Sequence, residues 1–309
     1  MLPAVYIPNF NGSARLGRTL RSLAAQSERV EVVVVDNGSS DDSVALARRE
    51  LPGVTVLELG ENLGFGRAIN RAVATHPADP LILLNNDVEC EPGFLAALLG
   101  GLEEGVDSVA GVLLQERAPQ LIDSAGVVAD ATLMGFDHLH GEPVAAAAEA
   151  RDPLGPTGGA ALYRREAFER VGGFDERIFL YYEDLDLALR MAAAGSRCRL
   201  APGARALHAY SASLGAASGA KYASTGWSRG YMLRRYGVMR HPRQALRALA
   251  CEGALCAGQL LRDRTARGLA GRWRGWRDAA GLPPRNADGA PLLDVTSREA
   301  LALRRKRRS

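Results

Sequence analysis

Three carboxylates stand within four residues of one another in the segment Tyr-Tyr-Glu-Asp-Leu-Asp at residues 181–186. Glu183, Asp184 and Asp186 follow two tyrosines and precede an apolar pattern with helical spacing. Carboxylates at such range raise one another's pKa, which suits a side chain that accepts a proton from a substrate. Acidic residues also collect in the first turn of ordinary helices, where they complement the helix dipole. The cluster therefore indicates general-base chemistry only when other polar segments accompany it.

Three polar segments follow predicted strands. Pro-Asn-Phe-Asn at residues 8–11 follows the first strand, Asp-Asn-Gly-Ser at 36–39 the second, and Asn-Asn-Asp at 85–87 the fourth. Each could be a turn, since these residue types favour turns for backbone reasons. Ligands of open parallel sheets collect at the carboxyl ends of the strands, so we expect all three to face one crevice. The first strand is followed by neither a GxGxxG segment nor a P-loop, which disfavours a Rossmann dinucleotide site.

The elements that position these segments alternate between short apolar runs and helical patterns over the first ~115 residues, which predicts a parallel sheet covered by helices. Strands are predicted at residues 5–7, 30–35, 54–59 and 81–84, and helices at 14–26, 41–50, 65–74 and 92–100. Farther along, we predict strands at 109–114, 126–129, 160–163 and 197–200, helices at 165–171 and 185–194, and a mobile alanine-rich loop at 143–150. The predicted class is α/β.

Composition narrows the class of protein further. The 309 residues are 47% hydrophobic and 24% charged, which is typical of a globular protein and excludes a disordered one. The four cysteines show no CxxC spacing and indicate a reducing compartment. A strand pattern begins at residue 4, which leaves no room for a signal peptide, and no uncharged apolar run approaches the ~18 residues of a membrane-spanning helix. We expect a cytoplasmic protein.

The carboxyl-terminal region is rich in arginine after Lys221 and ends in a basic run at residues 304–308. We predict helices up to about residue 280, a Gly/Pro linker at 281–291, and disorder over the final fifteen residues. Positive charge near a bilayer surface contributes about 1 kcal/mol per residue toward binding anionic lipid. Non-specific nucleic-acid binding and simple solubilisation are alternatives. We favour peripheral association with the inner face of the cell membrane and expect no specific nucleic-acid partner.

Seven segments, in order, resemble those of the inverting nucleotide-sugar glycosyltransferases of family 2. They lie at residues 6–11, 33–39, 62–70, 84–87, 158–160, 172–176 and 183–187. Each is weak alone, but their shared order over roughly residues 3–215 is specific, and it is similar to the bacterial rhamnosyl-, galactosyl- and galactofuranosyltransferase branch. The resemblance implies the GT-A fold, with a mostly parallel central sheet flanked by helices. It further implies a nucleotide-sugar-binding half at 1–115, an acceptor-binding half at 116–217, a helical region at 218–280, and a linker and basic tail at 281–309.

The resemblance assigns the nucleotide to the ends of the strands. It implies that the nucleotide-binding residues are Pro8, Asn9, Asn11, Asp36, Arg67, Asn85 and Asn86. Asp36 would accept a hydrogen bond from the ring imide of uracil or thymine. Arg67 would contact a phosphate or the base edge, with an exposed helix arginine as the alternative. Asn85 would contact the ribose or a metal-bound water.

The resemblance also implies a divalent metal, Mg²⁺ or Mn²⁺, which favours oxygen ligands. Asp87 would bind it at the position of the family's Asp-x-Asp motif, although the first position here is Asn85. His208 would be a second ligand. His138 and His140 have HxH spacing, and we predict that both are exposed to solvent in an irregular loop.

On the acceptor side, the resemblance makes Asp184 the general base and Glu183 a residue that orients the acceptor. Asp186 is predicted to cap its helix or to pair with Arg190 four residues on. Gly158 and Gly159 would allow close approach of the backbone to the sugar, with an ordinary tight turn as the alternative.

The implied reaction is metal-dependent, inverting transfer from a UDP- or dTDP-sugar to a hydroxyl of a glycan, a lipid-linked acceptor or a small molecule. One alternative, a nucleotidyltransferase, would carry a glycine-rich basic loop after the first strand, and residues 8–12 are not such a loop. A second, a noncatalytic nucleotide- or carbohydrate-binding relative, is disfavoured because both Asp87 and Asp184 are retained.

Overall fold

The computed structural model describes residues 1–209 and 219–306, and a mixed nine-stranded sheet forms its centre. The strands are β1 (Ala4–Asn9), β2 (Glu31–Asp36), β3 (Thr55–Glu58), β4 (Leu81–Leu84), β5 (Val88–Cys90), β6 (Ser108–Gln115), β7 (Ala118–Ser124), β8 (Val127–Ala129), β9 (Gly135–Asp137), β10 (Ala160–Tyr163) and β11 (Cys198–His208). Their order in the sheet is β3-β2-β1-β4-β10-β6-β11-β5, with β7 beside β6, while β8 and β9 form a separate hairpin.

Helices cover the sheet and extend beyond it. They are α1 (Ser13–Ala24), α2 (Ser43–Glu50), α3 (Phe65–Thr75), α4 (Phe94–Gly100), α5 (Arg165–Arg170), α6 (Glu183–Ala193), α7 (Gly219–Arg235), α8 (Pro242–Asp263), α9 (Arg267–Asp278) and α10 (Ser297–Lys306). In the part of the chain that the structure describes, none of these is long and apolar enough to cross a membrane.

The first four strands run parallel, and β1, β2 and β4 are largely buried on both faces. On β1, Val5 and Ile7 pack with α1 and α4, while Ala4 and Tyr6 pack on the opposite face with α3. Side chains of a strand alternate between faces, so a sheet covered on both sides selects continuous apolar runs. This explains why these strands were predictable from the sequence.

The second half of the sheet is mixed. β10 pairs antiparallel with both β4 and β6, while β11 runs parallel to β6 and antiparallel to β5. We predicted only a short strand ending at Leu200, which is wrong: β11 continues through an irregularity between Leu200 and Arg205 to His208. Pro202 and Gly203 interrupt the apolar pattern there, and this interruption hid the second part of the strand.

Three other predictions need correction. The alanine-rich segment is not an irregular loop, since Val144–Glu149 forms a 3₁₀ helix with Ala147 buried. The carboxyl-terminal segment is not wholly disordered, because α10 packs the buried Ala300 against a cluster that contains Cys251. The last two residues of the basic run, 307 and 308, and residue 309 lie outside the described residues. α6 begins at Glu183, two residues before the predicted start.

Helices α7 and α9 pack at close range because glycines line their contact. A Cβ at Gly230 would collide with the Arg272 carbonyl. Behind this contact, the buried Arg229 donates to Glu252 and to the carbonyl of Leu133. Burial alone would raise the pKa of Glu252, but the guanidinium groups of Arg229 and Arg272 lower it to about 2. The cluster fixes the helical region against the turn between β8 and β9.

Candidate active site

One large crevice, of about 1490 Å³, runs from the carboxyl ends of β1 and β4 to the start of α6 and the helical region. Ten of the predicted site residues line it: Pro8, Asn9, Asn85, Asn86, Asp87, Gly158, Gly159, Glu183, Asp184 and His208. The other three, Asn11, Asp36 and Arg67, lie outside its lining. The structure therefore brings together most of the residues that the sequence singled out.

Asp87 and His208 meet because of strand pairing. His208 is the last residue of β11 and lies opposite Val88 of β5, the residue after Asp87. Its Nε2 is 3.5 Å from Asp87 Oδ1, and the Ala209 amide donates to the Asp87 carbonyl at 3.1 Å. The predicted pair of metal-binding side chains thus converges from segments 121 positions apart in the chain.

Asp123 completes this group, and we did not predict it from the sequence. His208 Nδ1 donates to Asp123 Oδ2 at 2.6 Å. Burial alone would lower the pKa of His208, but hydrogen bonds to Asp123 and Asp87 raise it to about 10. Asp123 follows the short apolar pair Leu121-Ile122 in β7, and this pair was too short to reveal a strand from the sequence.

His140 belongs to the same group, so its predicted exposure to solvent is wrong. Its side chain is only 16% exposed, and Nδ1 donates to the Asp123 carbonyl at 2.7 Å. Contact with the Asp123 carboxylate is the largest cause that raises the pKa of His140. His138 is also half-buried, with Nε2 at 3.0 Å from the Arg151 carbonyl. The hairpin β8–β9 turns this segment back onto the sheet, which a loop prediction cannot foresee.

The wall formed by the ends of β1, β2 and β4 is a connected polar network. Asn86 Nδ2 donates to Asn9 Oδ1 at 2.7 Å, and Asn9 Nδ2 donates to Asp36 Oδ1 at 3.2 Å. Gly12 lies beneath the two asparagines, where a Cβ would collide with both amide groups. Asn9 is therefore held between the strand that carries Asp36 and the strand that leads to Asp87.

Two of the predicted nucleotide residues contribute to this wall from behind. Asp36 is buried, and its second oxygen accepts from the Ser39 amide at 3.0 Å. Asn11 is exposed and ties two loops together, since its Oδ1 accepts from the Ser40 amide at 2.8 Å. Arg67 lies elsewhere: its Nη2 donates to the Glu176 carbonyl at 3.3 Å, on the outer side of α3.

Gly158 and Gly159 lie where the backbone has no room for a side chain. A Cβ at Gly158 would be 2.5 Å from the Phe65 ring, and one at Gly159 would be 2.9 Å from Leu113. Contacts this short do not occur for real Cβ atoms, so a larger residue at either position would force the Phe65 or Leu113 side chain to move. The turn that they form brings backbone into the crevice lining beside Asn85.

The start of α6 is held in a strained conformation. Tyr181 and Tyr182 have φ angles of 68° and 74°, in the left-handed region that non-glycine residues seldom adopt. Such strain persists only where the surrounding structure enforces it, and it concentrates at functional sites. These two residues aim the first turn of α6 at the crevice, so that Glu183 and Asp184 both line it.

Glu183 is buried, whereas its neighbour has a backbone partner. Asp184 Oδ1 accepts from the Leu185 amide at 2.7 Å. Glu183 is 8% exposed, and burial, followed by the charge of Asp184, raises its pKa to about 8. The two adjacent carboxylates therefore differ in environment, which allows them to differ in role.

Asp186 points away from the crevice. Its predicted pairing with Arg190 is confirmed, with Oδ2 2.8 Å from Nε. It also accepts from Tyr236 and from Arg285 Nη1, at 2.9 Å and 2.5 Å. Arg285 lies in the segment that we predicted to be a linker, so that segment is fixed to the back of α6.

Comparison with known proteins identifies the chain. Residues 4–172 match the profile described as Glycosyl transferase family 2, and residues 118–257 match Glycosyl transferase family group 2. The chain belongs to glycosyl transferase family 2. This glycosyltransferase is 33% identical over 233 residues to the N-acetylglucosaminyl-diphospho-decaprenol L-rhamnosyltransferase of Mycobacterium tuberculosis, a match that covers 67% of this chain and 76% of the relative.

Solved structures confirm the predicted GT-A fold of the glycosyltransferase. A mannosyltransferase from Pyrobaculum calidifontis, solved with GDP-Man and Mn²⁺, gives a TM-score of 0.55 at 20% identity, with 90% of this chain and 84% of that chain covered. GalNAc-T7, solved with UDP, GalNAc and Mn²⁺, gives 0.62 at 14% identity over 92% of this chain and 55% of that chain. At these identities the likeness establishes the fold alone.

Proposed function

We propose that this glycosyltransferase transfers a hexose with inversion from a UDP- or dTDP-sugar to a hydroxyl group, with the help of a divalent metal. The observation that supports this best is the placement of two acidic groups on the lining of one crevice. One group is Asp87 with His208 and Asp123, and the other is Glu183 with Asp184. The first group suits the binding of a divalent metal together with the donor's diphosphate. The second suits the binding and deprotonation of an acceptor hydroxyl.

Asp184 is the proposed general base. It accepts the proton of the acceptor hydroxyl as that oxygen attacks the anomeric carbon and the bond to the nucleoside diphosphate breaks. Inversion follows from attack opposite the leaving group. Glu183, whose pKa of about 8 leaves it protonated at neutral pH, would donate a hydrogen bond that orients the acceptor.

Asp87 and His208 are the proposed metal ligands, and their chemistry fits Mg²⁺ or Mn²⁺. Among the described residues, no group of three or more His, Cys, Asp or Glu side chains is arranged to hold a metal. Two protein ligands suit a site in which the donor diphosphate and water supply the other oxygens. When bound, the metal would neutralise charge that develops on the leaving diphosphate.

Asp123 is proposed to orient His208. Its carboxylate accepts the Nδ1 hydrogen bond, so that Nε2, which is directed at Asp87, is the nitrogen that would bind a metal in exchange for its proton. Carboxylates that fix a ligating imidazole in this way typically account for 10–100-fold in metal affinity.

We further propose a division of labour along the chain. Residues 1–115 would bind the nucleotide sugar, residues 116–217 would bind the acceptor, and residues 218–280 would support that second half. The mycobacterial relative is named for a lipid-diphosphate acceptor, so a lipid-linked acceptor in polysaccharide or cell-wall synthesis is favoured here. That choice, together with the predicted cytoplasmic location, would place the enzyme at the inner face of the membrane.

A screen of nucleotide sugars for nucleotide release, with Mg²⁺, Mn²⁺ or a chelator, tests the reaction. We expect release from UDP- or dTDP-sugars only, and loss of release in chelator. Asp87→Ala should abolish metal-dependent donor binding, and His208→Ala should weaken it less. Full activity in excess chelator would exclude both metal assignments.

Calorimetry of Mn²⁺ with UDP tests Asp123. We expect Asp123→Asn to weaken metal-dependent UDP binding about 10–100-fold. Glu116→Gln is the matched control, because Glu116 lines the same crevice but forms ion pairs with Arg15 and Arg18. Equal loss in both variants would mean that charge in the crevice, and not the orientation of His208, controls metal binding.

A further inference from the structure

Helix α8 carries an exposed stripe without a polar side chain. From Leu246 to Leu261, the exposed residues are Leu246, Leu249, Ala250, Gly253, Ala254, Ala257, Leu260 and Leu261. They recur every three or four positions and therefore lie along one face of the helix. Leu246 is 72% exposed and Leu261 is 80% exposed. We call these eight residues the α8 stripe.

The polar residues that interrupt this apolar sequence all turn inward. Arg247 reaches the fully buried Asp130, with Nη2 3.1 Å from Oδ2. Glu252 accepts from Arg229 in the buried cluster, and Gln259 is buried as well. The inner face of α8 is thus a satisfied part of the fold, and the stripe is not a core face that lacks its partner helix.

Basic residues frame the stripe. From the start of α8 to the end of α9 the chain has eight arginines against three carboxylates, and Glu252, one of the three, is buried. Arg243 at one end of α8 and Arg262 and Arg264 at the other are exposed. The next helix adds two more exposed apolar side chains on one face, Leu269 and Trp273 at 58% and 67% exposure.

This combination fits one kind of partner. An apolar helix face with arginine near its ends and a tryptophan close by is typical of helices that lie in the plane of a membrane interface. The arginines complement anionic lipid headgroups, and tryptophan favours the boundary between headgroups and acyl chains. A protein partner would not require arginines at both ends of the stripe.

We propose that the α8 stripe docks this enzyme on the surface of an anionic phospholipid bilayer. The same helix connects that surface with the crevice, since Leu255, Gln259 and Arg262 of α8 line it. An acceptor whose lipid tail lies in the bilayer would then enter the crevice along α8. This last step rests on the proposed function, whereas docking itself does not.

Sedimentation with vesicles tests the docking. The full chain should bind vesicles of phosphatidylglycerol and phosphatidylcholine, and binding should weaken with salt because surface charge is screened. The double variant Leu249→Gln/Leu260→Gln should lower the partition coefficient by roughly tenfold or more, since burial of one leucine is worth about that factor. Both side chains are exposed, at 61% and 57%, so the fold should tolerate the change.

Leu303→Gln is the matched control, because Leu303 is also exposed but lies on α10 beside the basic tail. It should bind vesicles like the parent. If Leu303→Gln loses binding and the double variant does not, the tail is the membrane contact and the proposal is wrong. Binding to pure phosphatidylcholine as tight as to anionic vesicles would also contradict it.

A second copy of the chain is the competing occupant. If the stripe were a dimer interface, analytical ultracentrifugation without lipid would show a dimer in the parent and a monomer in the double variant. Vesicle sedimentation would then show equal binding for both proteins, and that pair of results would overturn the proposal. Nucleotide release from the donor, measured without lipid, should be equal in parent and double variant. The proposed docking and the proposed transfer reaction can therefore be disproved independently of each other.

Discussion

The two walls of the crevice are built in different ways. The wall at the ends of β1, β2 and β4, where the nucleotide is proposed to bind, is the nucleotide-side wall. It consists of short polar turns at the ends of neighbouring parallel strands, joined by hydrogen bonds among Asn9, Asp36 and Asn86. The opposite wall, where the acceptor is proposed to bind, is the acceptor-side wall. It consists of the first turn of α6, which carries Glu183 and Asp184. That start is strained at its tyrosines and anchored from behind by Arg285, about a hundred residues later in the chain.

The difference separates local from distant control of the site. The geometry of the nucleotide-side wall follows from strand register, which the buried sheet fixes. The geometry of the acceptor-side wall depends on a buried ionic network between α6 and the segment after α9 that carries Arg285. We therefore expect changes on the first wall to affect ligand binding, and changes behind the second to affect both catalysis and folding.

The largest expected effect is at Asp184. Asp184→Asn should lower the rate of transfer about 10²–10⁴-fold, because the amide keeps the shape of the side chain but cannot accept the proton. Donor binding, measured by calorimetry, should stay close to that of the parent, since the nucleotide is proposed to bind at the other wall. Transfer above about a tenth of the parent rate would assign the base to Glu183.

The anchor behind the acceptor-side wall is expected to contribute to stability. Arg285→Ala should lower the free energy of unfolding by about 3 kcal/mol, because it leaves the buried carboxylates of Asp175 and Asp186 without one of their charged partners. Denaturant unfolding measures this loss. The fold should remain, since Arg190 and Tyr236 still bind Asp186.

Arg48→Ala is the control for that loss, because the Arg48–Glu58 pair is exposed on both sides and should contribute less than about 1 kcal/mol. Similar losses in the two variants would mean that the carboxyl-terminal anchor is no more important than a surface ion pair. The contrast between the two walls would then disappear.

The same contrast explains what the sequence could predict. The strands and helices of the first hundred residues were predictable because burial on both faces demands uninterrupted apolar runs, as in β2 and β4. The polar turns after them were visible because each directly follows a strand. Asp87 and His208 were assigned by resemblance, and their meeting depends on the antiparallel pairing of β5 with β11.

What the sequence hid depends on contacts between distant segments. Asp123 lies in β7, whose Pro119 and polar residues gave no strand signal, and its role appears only beside His208. Arg285 stands in a Gly/Pro-rich segment without regular structure, yet it contacts two buried carboxylates. The stripe on α8 was obscured because Arg247 and Glu252 interrupt the apolar run, and only the helix geometry shows that both turn inward.

On the nucleotide-side wall, Asp36→Ala should weaken binding of UDP and dTDP about tenfold to a hundredfold. The loss of one hydrogen bond to a charged group costs ~1.5–3 kcal/mol, and Asp36, which lies behind the crevice lining, also holds Asn9 in place. Calorimetry with UDP, dTDP, CDP and ADP on parent and variant measures it, and the melting temperature of the variant shows whether the Asn9 contact mattered for folding. Parent binding of ADP as tight as that of UDP or dTDP would contradict the assignment of a pyrimidine donor.

The last expected effect concerns Glu183, and it tests whether the acceptor-side wall excludes water, as the burial of this side chain indicates. The pKa of Glu183 rises from an ordinary value of 4.5 to about 8 in the folded protein. A group with a raised folded-state pKa contributes stability that is complete below the unfolded pKa and is lost as pH rises through the folded pKa. The free energy of unfolding of the parent should therefore fall between pH 4.5 and about 8 because of Glu183. Glu183→Gln has no proton to lose and should not show this fall. We expect the melting temperature of Glu183→Gln to exceed that of the parent by a margin that widens steadily across this range and is largest at its upper end. Glu58→Gln, an exposed change, should shift melting equally at every pH. Parallel melting curves for parent and Glu183→Gln across the range would mean that Glu183 is ionised at neutral pH and could not donate a hydrogen bond to the acceptor.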